Sequence, residues 1–369
     1  MTKPGQGPLA GLRIVEISGL GPTPFAAMLL ADMGADVIRI ARPGSGGAEA
    51  HVLGLDRDIL DRGRDVLELD LKSDMDRATA RALIVCADAL VEGMRPGVME
   101  RLGLGPEDFP ENPALVYGRM TGWGQSGPLA DRAGHDINYI GLTGALHAMG
   151  TPERPAIPLN LLGDFGGGGM YLAFGMLAAL IHARATGQGQ VVDAAITDGT
   201  AHLMAMISGM AQQGAWSDRR GENLLDGTAP FYTTYECADG GHMAVGAIEP
   251  KFWTALIEGL ELEADALPDR ADRANWPRLR EILAACFAMR SREDWTAVFE
   301  GTDACATPVL TIAEAPQHPH NRARATFVSH DGLEHPAPAP KLSRTPGAIG
   351  AGSDRNRLSP AEALARWKA

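Results

Sequence analysis

The sequence predicts an α/β fold with a Rossmann-like parallel, doubly wound sheet. Short apolar runs alternate with helical stretches over the first third of the chain, their spacing suits right-handed βαβ crossovers, and a glycine-bearing turn follows the first run. In order, residues 12–17 (LRIVEI) read as a buried strand, 19–24 (GLGPTP) as a turn, 25–33 as a helix that Gly34 stops, and 36–40 (DVIRI) as a second strand. Residues 65–71 then read as a strand, 75–87 as a helix, and 89–92 and 115–119 as further strands. Such a succession is the pattern of a doubly wound domain. Beyond it, a glycine run at 166–169 precedes an apolar helix ending near Ala185, residues 191–195 read as a strand, and 198–210 as a Met- and Ala-rich helix. Residues 211–228 are polar and read as a linker or extended crossing. Residues 231–245 flank Asp239-Gly240-Gly241 with aromatic and β-branched residues, as in a β-hairpin. Helices are expected to about residue 300, and the Pro-rich stretch 335–347 is expected to lie extended.

With 369 residues, the chain has room for two domains at roughly 100–200 residues each. Its net charge of −13 argues against general binding to nucleic acid or to an anionic membrane. Cations that serve an anionic ligand must therefore be gathered locally. Cys86, Cys237, Cys286 and Cys305 lie far apart with no C-x-x-C pair, which favours reduced thiols and a cytoplasmic location over a disulfide frame. The first nine residues lack the apolar core of a signal peptide, and the last four form no peroxisomal address. The longest apolar run, 170–181, is too short to span a bilayer and is expected to be a buried helix. His318-Pro319-His320 has no nearby thiol to complete a metal set, so a loop and no metal are expected there.

The turn after the first strand invites a dinucleotide reading, which the residues do not support. Gly19-Leu20-Gly21 is followed by Pro22-Thr23-Pro24, so the third glycine of the fingerprint is missing, and the second strand ends in Arg39-Ile40-Ala41-Arg42 without a ribose-binding acid. No nicotinamide is expected. A basic strand end points instead to phosphate, which guanidinium groups bind bidentately. Lys72 and Arg95 follow two further strands, and Arg101 comes shortly after. Because ligands of open α/β sheets sit at the carboxyl ends of the strands, these cations are placed to converge on one polyanion.

Several segments carry a more specific pattern. Gly134-His135-Asp136-Ile137-Asn138-Tyr139, the stretch 159–168 (LNLLGDFGGG) and Gly246-Ala247-Ile248-Glu249-Pro250 occur together with Asp70-Leu71-Lys72-Ser73, Arg95-Pro96-Gly97 and 187–193 (GQGQVVD). In this order the chain, from about Pro8 to about Ser343, resembles the α-methylacyl-CoA racemase branch of the class III CoA-transferase (CaiB/BaiF) family. The resemblance implies an interlocked homodimer. It implies a large CoA-binding α/β domain from residues 1–200 completed by 330–369, a crossing at 201–225, a small α+β domain at 226–315 and a return segment at 316–369. It also implies an acyl-CoA thioester as substrate, a role in fatty-acid and lipid metabolism, and no cofactor beyond the CoA moiety. By motif position, Arg42, Asp70, Leu71, Lys72, Ser73, Gly93, Met94, Arg95, Arg101, Gly134, Asp136, Ile137, Asn138 and Tyr139 correspond to CoA-contacting segments.

Racemising C2 of a 2-methylacyl thioester needs a base on one face of the planar enolate and an acid on the other. In the resembled racemases the positions of His135 and Asp164 supply that pair, Glu249 partners the histidine, and Asn160 hydrogen-bonds the aspartate. An imidazole suits both directions, with an unperturbed pKa of about 6.5. A carboxyl group must be raised by burial to act as an acid near neutrality. Backbone N–H groups of the glycine run are expected to face the thioester oxygen. Taken singly, each residue has a plainer use: His135 as a loop histidine beside a cap at Asp136, Asp164 as a helix N-cap, and Glu249 as a helix-start carboxylate. The alternative chemistry on the same fold is a class III CoA-transferase, with Asp164 as nucleophile and CoA moved between carboxylic acids.

Overall fold

The computed structural model describes residues 7–44, 58–350 and 356–368. Residues 1–6 and 369, on which part of the reading of the chain ends falls, lie outside the described residues. Two units are formed, one from residues 1–145, 158–205 and 325–369, the other from 146–157 and 206–324.

In the larger unit the apolar runs become strands, the first five largely buried on both faces and the sixth partly exposed. These are β1 (Arg13–Ile17), β2 (Asp36–Ala41), β3 (Asp65–Glu68), β4 (Ala89–Glu92), β5 (Val116–Thr121) and β6 (Val191–Ala195). They pair in parallel in the order β3-β2-β1-β4-β5-β6, with Arg357–Leu358 added at the outer edge of β3. Period-two alternation sorts the side chains into two cores. Ile14, Val37, Val91 and Val116 pack with helix α1 (Pro22–Asp32) and with Leu172, Met176 and Leu180. Val15, Ile38, Leu90 and Tyr117 pack with helix α2 (Asp74–Val85) and with Ala363 and Trp367 of the C-terminal helix Pro360–Lys368. The order reverses between β1 and β4, and the loops leaving the carboxyl ends of those strands diverge there, as an open α/β sheet requires of a ligand site.

Three local expectations are corrected. Helix α1 begins at Pro22 rather than at 25, because proline at the first helical position brings a helix-competent φ and gives up no needed N–H. The stretch 198–210 is two helices, which follow the short helix α3 (Asp136–Gly141) and the long α4 (Met170–Thr186): α5 (Ile196–Leu203) and α6 (Ala205–Gln212), separated at Met204. His318 does not sit in a plain loop but heads the short helix Pro319–Ala323, again with proline at the first position.

A larger correction concerns the glycine run. It does not merely precede the apolar helix α4 but ends a wide π-helical segment, Leu161–Gly169, that continues directly into it. Together they make 26 helical residues, long and apolar enough by length and composition to cross a membrane, against the expectation from the shorter run 170–181. Here Leu172, Met176, Ala179 and Leu180 are buried against the sheet. The glycines serve close approach. A Cβ on Gly167 would lie 2.3 Å from Thr200 Oγ1 and 2.8 Å from Thr200 N, and one on Gly169 would lie 2.9 Å from the Pro22 carbonyl oxygen. The wide segment therefore lies backbone to backbone between α1 and α5.

In the smaller unit β7 (Tyr232–Glu236), β8 (His242–Gly246) and β9 (Ala306–Pro308) form an antiparallel sheet. Helices α7 (Pro250–Gly259), α8 (Trp276–Phe287) and α9 (Arg292–Phe299) complete a core that includes Tyr235, Met243, Leu256, Leu283, Phe287 and Trp295. Part of the polar 211–228 stretch is not extended but folded around one carboxylate: Asp226 accepts the backbone N–H groups of Gly221, Glu222 and Asn223. Back in the larger unit, β10 (Phe327–His330) and β11 (Leu333–Pro336) form a hairpin. Arg62 ties this return segment to α1, bonding both the carboxylate of Asp32 and the carbonyl of Pro336.

The backbone approach of the wide segment to α5 gives a stability prediction. A Cβ on Gly199 would lie 1.9 Å from the Gly167 carbonyl oxygen. Gly199→Ala is therefore expected to lower stability by about 1–3 kcal/mol through overpacking, read as a reduced denaturant midpoint with an unchanged slope.

Candidate active site

Where the strand order reverses, the loops after β1, β4 and β5 line a cavity of about 600 Å³ together with the start of α3 and the wide helix. Leu20 and Gly21 come from the first loop and Thr23 from the first turn of α1, Gly93 and Arg95 from the second loop, and Thr121 and Gly122 from the end of β5 and the residue after it. His135, Asp136, Tyr139, Asn160, Asp164 and Phe165 complete much of the wall. Residues distant in the sequence thus meet because parallel strands deliver their carboxyl ends to one edge.

Asp164 is not the N-cap of a glycine helix. It is the fourth residue of the wide segment, whose pitch is set by bonds such as Phe165 N–H to Asn160 C=O at 3.1 Å. The glycine N–H groups expected to face a thioester oxygen therefore lie inside the helix rather than at its start. Phe165 is stacked on Phe25 of α1 with ring centroids 4.4 Å apart. Gly21, at φ +67°, leads into α1, and a Cβ there would come 3.2 Å from Asp164 Oδ2. The place over a helix N-terminus that faces phosphate in dinucleotide folds thus faces a carboxylate. Burial pushes the Asp164 carboxyl up to about 6, with the charge of Asp136 adding in the same direction.

His135 occupies the N-cap position of α3, where its backbone N–H donates to Asn138 Oδ1 at 3.0 Å. Its side chain is exposed and lines the cavity. Asp136, which alone reads as the cap, instead accepts the Asp164 N–H at 2.6 Å across the site. Tyr139 braces this loop: its hydroxyl donates to the Gly134 carbonyl, and its ring lies edge-on to Trp123 at 4.7 Å. A Cβ on Gly122 or Gly134 would meet that ring at 2.0 or 2.7 Å, which is why both positions are glycine.

The remaining expected residues divide by position. Arg95 and Gly93 line the cavity, and the Met94 N–H between them is held by Glu92 at 2.5 Å. Arg42 and the Asp70-Leu71-Lys72-Ser73 turn follow β2 and β3 on the same sheet edge but do not line the cavity. In that turn, the Lys72 N–H donates to Asp70 Oδ1 at 3.1 Å. Arg101 lines a separate depression of about 450 Å³ with Arg77 and Arg81. Ile137 and Asn138 are exposed on the first turn of α3. Glu249 belongs to the smaller unit, where it is exposed and precedes Pro250 at the start of α7.

Sequence reasoning missed Glu92 and Thr23. Glu92 is wholly buried, bonds Arg119 Nε at 3.2 Å, and is pushed by burial up to about 7. The signal was an acid ending an apolar strand. Thr23 carries a buried hydroxyl with no partner among the described residues, in the cavity wall. Nothing in the sequence distinguished it from an ordinary turn threonine.

The raised carboxyl gives a sign for stability against pH. A folded-state pKa near 6, above the ordinary 3.8, contributes stability that is complete below the ordinary value and lost as pH rises through the folded one. Asp164→Asn is therefore expected to stabilise the protein at pH 8, on the order of 1 kcal/mol after solvent screening, with no gain at pH 3. Thermal melts of both proteins across that range check it.

The comparisons with known proteins agree with this architecture. The chain is 47% identical to the α-methylacyl-CoA racemase of Mus musculus over 350 residues, covering 94% of this chain and 89% of the relative. It is also 47% identical to that of Homo sapiens over 341 residues, covering 92% and 87%. A crystal structure of a CAIB/BAIF family protein from Brucella suis superposes with a TM-score of 0.83 at 24% identity, over 98% of this chain and 99% of the other, which shows the shared fold. Residues 9–353 match the model of CoA-transferase family III, and the chain belongs to that family.

Proposed function

We propose that this protein is an isomerase that interconverts (2R)- and (2S)-2-methylacyl-CoA thioesters by proton transfer at C2. The observation that carries the reading is that an imidazole, from the loop before α3, and a carboxyl group, from the wide helix, line one cavity where the parallel sheet reverses its order. The near-half identity to racemases along almost the whole chain supports it.

One of the pair takes the C2 proton, and the electron pair of the broken C–H bond passes into the thioester carbonyl to give a planar enolate. The other returns a proton to the opposite face, and the roles exchange for the other enantiomer. A carboxyl group poised near 6 suits both duties at neutral pH. Asn160, which lines the cavity with Asp164, is assigned to orient the carboxyl group. In the proposed dimer a Glu249, from either copy of the chain, is assigned to hold the tautomer of His135 and stabilise its imidazolium. The cations along the sheet edge, Arg42, Lys72 and Arg95, are assigned to the CoA phosphates, with Arg101 further along. No cofactor beyond the CoA moiety enters this scheme.

The assembly proposed is a homodimer. Met170, Phe174 and Ile181 of α4 and Leu203 of α5 are exposed apolar side chains of the larger unit, and Phe174 is 73% exposed. Exposed apolar side chains of this kind are what a second copy would bury.

In heavy water, a pure 2-methylacyl-CoA is expected to take up deuterium at C2 with no acceptor acid present, and His135→Ala and Asp164→Ala are each expected to slow that uptake by ~10²–10⁴-fold. Transfer of CoA onto an added carboxylate, with release of the free 2-methyl acid and no deuterium uptake, would replace this reading by the transferase one. Arg95→Ala is expected to raise KM for the thioester by about tenfold, the worth of a charge-assisted hydrogen bond, with a smaller change in kcat. Steady-state kinetics on the same substrate measure both.

A further inference from the structure

We propose that the side chain of Asp136 is a positioning residue that anchors the turn carrying Asp164 and sets the charge against which Asp164 titrates. This rests on the reading of Asp164 as an acid/base group. Asp136 begins α3, yet its carboxylate does not serve that helix. It reaches 28 residues along the chain to accept the Asp164 N–H at 2.6 Å, with the Gly163 N–H close enough to favour its charged form.

These two donors stand in the first turn of the wide helix, where no carbonyl within the helix is available to them. Asp136 Oδ1 is buried with no hydrogen-bond partner among the described residues. A carboxylate kept that way is not a solvated surface charge. Gly163 records the same contact: a Cβ there would lie 2.2 Å from Asp136 Oδ2 and 2.8 Å from the Ile140 side chain. The loop that presents His135 and the turn that presents Asp164 are thereby pinned to each other through one side chain. The pin carries a negative charge, so it opposes ionisation of Asp164 while holding its backbone.

Other charged groups face Asp164 from the elements around it. His135, Tyr139, Arg95 and Asp58 share the cavity wall. On the packed elements, Asp32 of α1 is paired with Arg62, and Arg119 of β5 with Glu92 and Glu100. Asp193 of β6 accepts the Gln125 N–H, Asp198 of α5 is exposed, and His202 of α5 bonds Tyr171. His182 and Arg184 lie near the far end of α4. Asp136 is distinguished by bonding the Asp164 backbone itself.

The test is deuterium uptake at C2 of each enantiomer of a 2-methylacyl-CoA against pH, for wild type, Asp136→Asn, Asp136→Glu and Asp164→Asn. Asparagine retains an acceptor for the N–H groups and removes the charge. The limb that reports Asp164 is therefore expected to move to lower pH by about one unit for both enantiomers, whether Asp164 acts as base or as acid. Glutamate retains the charge with its reach altered, so kcat is expected to fall at least tenfold with the limb in place. A wild-type limb in Asp136→Asn, or wild-type kcat in Asp136→Glu, overturns the proposal. Should Asp136→Asn not fold, as judged by circular dichroism, Asp136→Glu alone decides by its kcat. An Asp164→Asn variant as active as wild type would instead overturn the acid/base reading on which the proposal stands.

Discussion

The close approach of the Leu161–Gly169 segment to its neighbours is the constraint on which the rest of the site depends. Side chains at 167 and 169 would hold this segment away from α5 and α1. Without them, it settles between the two helices, and its fourth residue comes to the N-terminal end of α1. The same packing buries that carboxyl group enough to move it toward neutrality. One steric fact thus sets both where Asp164 lies and how it titrates.

Around this centre the loops are held by charges as well as by aromatic contacts. Arg64 and Glu16 are wholly buried and pair at 2.6 Å, and Asp61 bonds both Arg64 and Arg39. Arg39 also reaches Ser18 at 3.1 Å, just after β1. Beside β4, Glu92 binds Arg119, which is bidentate to Glu100 at 2.7 and 3.3 Å. Buried pairs of this kind recover little net stability after desolvation, but losing one partner leaves an uncompensated charge, so the geometry they hold is stiffly defined. Here they hold the segments at the carboxyl ends of β1 and β4, the places from which Gly21 and Arg95 enter the cavity.

The carboxyl edge of the sheet carries cations on its loops and carboxylates beneath them. Within a chain of net charge −13, the basic groups after β2, β3 and β4 form a local exception, and parallel pairing alone places them along one border. Strand order, more than total charge, governs where these cations gather.

The alternation of apolar runs and helices determined the sheet, because strands covered by helices are mostly apolar and crossovers need length; β4 and β6 fall where the sequence places them. The same text held the site motifs, since glycine, histidine and aspartate in those settings leave a recognisable order. The extent of the wide helix was beyond it: a glycine run reads only as the lead-in to the apolar helix until neighbouring helices press close enough to reward a missing Cβ. Nor did it reveal that the Asp136 carboxylate crosses to another segment, or that Glu92 is buried. Such assignments depend on which backbone donors lie within reach and which charges lose water, and only the folded chain, bringing distant residues together, decides those.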